Sequence, residues 1–155
     1  MLKMLLCLMI VVCSTLIGFT YSQKLHKRKA VLEKFVLELK NCHTQLQYTS
    51  AQLPILFKNN FMNYTFCDDK PFSDQWNNML DNFRHILNAN DIEVLMSFAT
   101  NLGTTDTDGE LKNIELHTQM LKNNIVDASS DIERKSKLYK TFGLSLGVTI
   151  VIFII

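Results

Sequence analysis

Cys42 stands beside His43, with Cys67 further along the chain, and thiol and imidazole are the groups that hold zinc or serve as nucleophile and base. The spacing supports neither role. A structural zinc site draws its ligands from short pairs roughly two to four residues apart, and no second pair exists here. The stretch "TTDTDGE" sets Asp106, Asp108 and Gly109 in the order of a calcium loop, but the twelfth position from Asp106 is His117, where a bidentate Glu is required. Turn and cap chemistry accounts for it better. His26, His43, His85 and His117 are scattered singly. No glycine-rich phosphate loop is present, and no nucleophile has an evident base in reach. The chain is therefore read as having no catalytic residues, no metal site and no cofactor. "NYT" at Asn63–Thr65 is a formal glycosylation acceptor that has meaning only in an exported domain.

The elements around these residues are helical. Leu25, Leu32, Phe35, Leu39, Cys42 and Leu46 follow a three-four spacing interrupted only at Arg28. Leu111, Ile114, Thr118, Leu121, Ile125, Ala128 and Ile132 repeat it near the other end. Two such stems predict an antiparallel hairpin. Shorter helices lie between them. Ser50 is an expected N-cap with Pro54 in the first turn, and Ser73 an expected cap for a helix presenting Trp76, Met79, Leu80, Phe83 and Leu87. Asn90 with Glu93, and Thr107 with Glu110, have the spacing of capping arrangements, and Gly103 is placed to stop the helix between them. No alternating strand run or hairpin turn appears, so the fold class is all-α: a long two-stem hairpin with short distal helices.

Both ends of the chain are apolar. The first, "MLKMLLCLMIVVCSTLIGFTYSQ", is interrupted only by Lys3 and is long enough at about 1.5 Å per residue to cross a hydrocarbon core of about 30 Å. Thr20 and Ser22 offer the small residues of a signal cleavage site. Lys24, Lys27, Arg28 and Lys29 follow at once, and such clusters stay cytoplasmic, which favours an uncleaved anchor. The chain closes on "KTFGLSLGVTIVIFII", in which Gly143 and Gly147 form the G-x-x-x-G spacing that lets two membrane helices approach closely, including those of a homo-oligomer. Expected boundaries are a span at 1–22, a helical domain at 23–140 and a span at 141–155.

Charge is sorted along the chain, though the net value is only +1. Residues 24–40 carry six Lys/Arg against Glu33 and Glu38, and Arg134, Lys135, Lys137 and Lys140 add four with no acid among them. Between them, residues 41–133 carry thirteen acidic residues and five basic ones. Basic stems against the inner side of both spans put the middle in the cytoplasm and both termini outside. They lack the aromatic interleaving of a nucleic-acid groove, and lie where anionic headgroups meet them. The acidic section is left for a basic partner. Its exposed candidates are Asp68 and Asp69 in the loop after Cys67, with Asp106 and Asp108 at the turn opening the last stem.

The block "NANDIEVLMSFATNLGTTDTDGELKNIELHTQML", followed by "KTFGLSLG" and the apolar tail, resembles stage III sporulation protein AB of endospore-forming bacteria. Leu95, Phe98, Leu102, Gly103, Asp106, Ile114, Leu121, Lys140, Gly143 and Gly147 carry the resemblance, and Tyr48, Leu53 and Trp76 extend it more loosely upstream. Glu110, where the family usually has Gln, and Thr107, where a basic residue is common, depart from it. The resemblance implies a component of the complex linking mother cell to forespore, in the outer forespore membrane. It also implies a cytoplasmic helical domain similar to the platform protein of type II secretion, which a secretion-type ATPase engages. Two other classes fit the bare sequence: a membrane-anchored regulatory or adaptor module with a soluble signalling partner, and a membrane enzyme. The enzyme reading has no convergent catalytic set behind it.

Overall fold

The computed structural model describes residues 2–49, 61–62, 64–67, 70–138, 141, 145 and 149. Among these the fold is helical, without a strand: α1 is Leu2–Thr49, α2 Phe72–Asp81, α3 Ala89–Asn101 and α4 Thr107–Asp131, followed by a π-helical turn, Ile132–Ser136. No proline falls within α1, so nothing interrupts its backbone ladder. Ser50 and Pro54 lie outside the described residues.

The chain divides into two compact units, Met1–Lys29 with Asp127–Ile155, and Ala30–Val126. In the first unit Arg28 of α1 donates to Asp131 at 3.4 Å, and Lys135 pairs with the same carboxylate at 2.6 Å. Among the described residues no helix is long and apolar enough to cross a membrane. The spans expected at 1–22 and 141–155 accordingly rest on the sequence.

The second unit holds the core. Leu32, Phe35, Leu39, Cys42 and Leu46 of α1 are buried, as are Ile114, Thr118 and Leu121 of α4. These are the two expected seams. Lys40, His43 and Thr44 line a groove with Ile114, Thr118 and Lys122, so in this unit α1 and α4 lie side by side. Within the first unit the ends of the same two helices meet at the Arg28–Asp131 pair.

Trp76 is fully buried, its indole N–H donates to the Leu95 carbonyl at 2.9 Å, and its ring lies within 5.4–6.5 Å of Phe35, Phe61, Phe66, Phe72 and Phe98. That hydrogen bond ties α2 to α3 while satisfying the one polar atom the ring brings inside. Buried Gln75 fixes the approach to α2. Its amide oxygen accepts from Cys67 N at 2.7 Å, and its nitrogen donates to the carbonyls of Cys67 and Lys70 at 2.7 and 2.8 Å. The N-cap of α2 is Pro71, with no side-chain bond. Ser73 therefore lies inside the first turn and is not the cap.

Candidate docking surface and the polar layer behind it

α3 begins two residues earlier than its Asn90/Glu93 spacing implies. Asn88 is the cap: its side chain accepts from Asp91 N at 2.7 Å, and the Asp91 carboxylate accepts from Asn88 N at 3.0 Å. Asp91 is fully buried, and its second oxygen accepts from Asn124 Nδ2 at 3.0 Å. Asn124 in turn accepts from Asn90 Nδ2 at 3.0 Å. A chain of four polar side chains thus locks the start of α3 to α4, with both carboxylate oxygens satisfied. Two turns back along α4 His117 is buried edge-on to Phe98, with Nδ1 at 2.9 Å from the Asn113 carbonyl and Nε2 at 3.4 Å from Ser97 Oγ. A carbonyl only accepts, so Nδ1 carries a proton, and in the neutral ring Nε2 accepts from Ser97. Asp91 did not stand out in the sequence, and His117 did so only as a lone histidine where a calcium loop would need Glu.

The α3–α4 turn is gripped from below. Gly103 takes φ 81, the left-handed conformation that ends a helix. Glu110 is buried, and its Oε1 accepts from Gly103 N at 2.7 Å, Thr105 N at 3.4 Å and Thr105 Oγ1 at 3.2 Å. Glu110 thus reaches past Thr107. The cap is Asp106, whose carboxylate accepts from Gly109 N at 3.0 Å. Gly109 also permits a close approach, since a Cβ there would stand 2.5 Å from Thr105 Oγ1.

Of the four expected docking carboxylates, Asp106 and Asp108 are exposed on this turn, and Asp106 doubles as the cap. Asp68 and Asp69 lie outside the described residues. So do Gly143, Gly147 and Lys140. Among the basic anchors Lys24, Lys27, Lys135 and Lys137 are exposed and Lys29 is half-buried. Arg28 is the exception. It is buried and engaged by Asp131.

No group of three or more His, Cys, Asp or Glu that could hold a metal ion occurs among the described residues. Cys42 and Cys67 are free thiols, one buried and one exposed. Burial, with the charge of Glu38 adding to it, pushes the Cys42 thiol up to about 12. At neutral pH it is a protonated core residue, not a nucleophile.

Compared with known families, residues 3–61 and 62–155 match the family model described as stage III sporulation protein AB. The chain belongs to that family. Searches of curated proteins and of solved structures each return no match. Family membership makes this a stage III sporulation protein, a component of a sporulation complex. Within the matched residues, Gly103, Asp106, Ile114 and Leu121 have the structural roles described above: helix stop, helix cap and buried seam. Glu110, also within the matched residues, is the one that grips the turn.

Proposed function

We propose that this stage III sporulation protein is a non-enzymatic membrane platform, carrying a cytoplasmic helical domain that couples a secretion-type ATPase to the channel between mother cell and forespore. Both apolar ends span the outer forespore membrane from the mother-cell side, with both termini outside and other stage III proteins as neighbours. The observation that carries the reading is the family match over residues 3–155. The sorted charge supports it: the basic stems suit an anionic membrane surface, while thirteen acidic residues in 41–133 suit a basic cytoplasmic partner.

Docking is assigned to Asp68, Asp69, Asp106 and Asp108. Replacing all four by Asn keeps the cap at position 106, since Asn caps helices as well as Asp does, while removing four negative charges. The full-length variant is expected to fold and reach the membrane, but to capture less of the sporulation ATPase from extracts, most visibly at low salt, and to lower spore yield. Normal capture across a salt series by the folded variant rejects this docking site.

A further inference from the structure

The groove between α1 and α4 runs against the charge of its surroundings. It encloses about 300 Å³, at the lower end of the range for small-ligand sites. Lys40, His43 and Thr44 line it from α1, and Glu115, Thr118 and Lys122 from α4, over a floor that includes Ile114. Among the described residues no ion pair engages Lys40, Lys122 or Glu115, although acidic residues outnumber basic ones through 41–133. Lys40, Lys122, the half-buried His43 and two threonines therefore line one groove whose wall is mostly apolar, with one carboxylate among them. We propose that this groove is a carboxylate-binding site for an acidic side chain presented by a partner protein, distinct from the acidic docking turn.

The charge balance selects the ligand. With His43 neutral the lining carries a net charge of +1, which one carboxylate neutralises. A dianionic phosphate would leave an unmatched charge beside Glu115, and that repulsion disfavours it. A carboxylate seated between Lys40 and Lys122 gains charge-assisted hydrogen bonds, with the Thr118 hydroxyl as a further donor, since Thr44 already donates to the Lys40 carbonyl.

The chain's four histidines supply the readout. Full-length protein in detergent, labelled at its histidine rings for NMR, is titrated with acetyl-Glu-amide, with the neutral isostere acetyl-Gln-amide and with phosphate, all at matched ionic strength. The expected result is a saturable shift of the His43 ring with the Glu compound alone, while buried His117 stays in place and reports an intact fold. Lys40→Gln with Lys122→Gln is expected to weaken that response at least about tenfold without moving His117. An equal response to the Gln compound, a response to phosphate that exceeds the carboxylate's, or an unchanged response in the double variant each overturns the proposal. The acidic-turn variant leaves this titration unaffected, so the two sites fail or stand separately.

Discussion

At the scale of single residues, the buried Asp91 sets the strictest demand. Its two oxygens take bonds from Asn88 N and Asn124 Nδ2 in a fully buried setting. Asn124→Ala removes one of those donors and leaves a buried carboxylate oxygen unmatched, which costs about 1–3 kcal/mol. Asn90→Ala removes only an exposed partner of Asn124 and is expected to cost less. Denaturant melts of the two variants check the order. The same residue shows why the cap was misread in the sequence. Asn88–Asp91 and Asn90–Glu93 have identical spacing, and local chemistry cannot rank them; Asn124, 33 positions away, decides by drawing Asp91 inward. Arg28 was likewise read as a break in the first seam, whereas it fills its place in that seam through Asp131, 103 positions on.

At the scale of elements, periodicity carried most of the information. The residues on the three-four spacing of both stems are buried or half-buried, Leu39 and Leu121 completely. Truncating either to Ala is expected to lower stability by about 2–4 kcal/mol through lost transfer energy and a residual cavity. Equilibrium unfolding of each variant tests this, and two unaltered melts would falsify the hairpin core. The helix-stop glycine was legible too, because only the left-handed backbone at Gly103 ends α3 there. What periodicity could not supply were the irregular pieces. Gln75 substitutes for a strand by pairing with both backbone groups of Cys67, and no local sequence pattern announces such a clamp.

At the scale of the whole molecule, the proposed topology rests on basic residues flanking the inner side of both apolar ends. Cysteines added before Met1 or after Ile155 are expected to react with an impermeant thiol reagent in intact cells, while Cys67, exposed on the folded domain, is protected until the membrane is opened. Labelling of Cys67 from outside would place the domain on the other face. All of these experiments need to distinguish a folded variant from a collapsed one, and the chain contains its own instrument. It has a single tryptophan. Trp76 is shut away from water among aromatic rings, with its N–H spent on Leu95. Its fluorescence therefore originates in one dry place, shielded from soluble quenchers, and reddens when α2 parts from α3, so emission colour reads the integrity of the helical domain without a label.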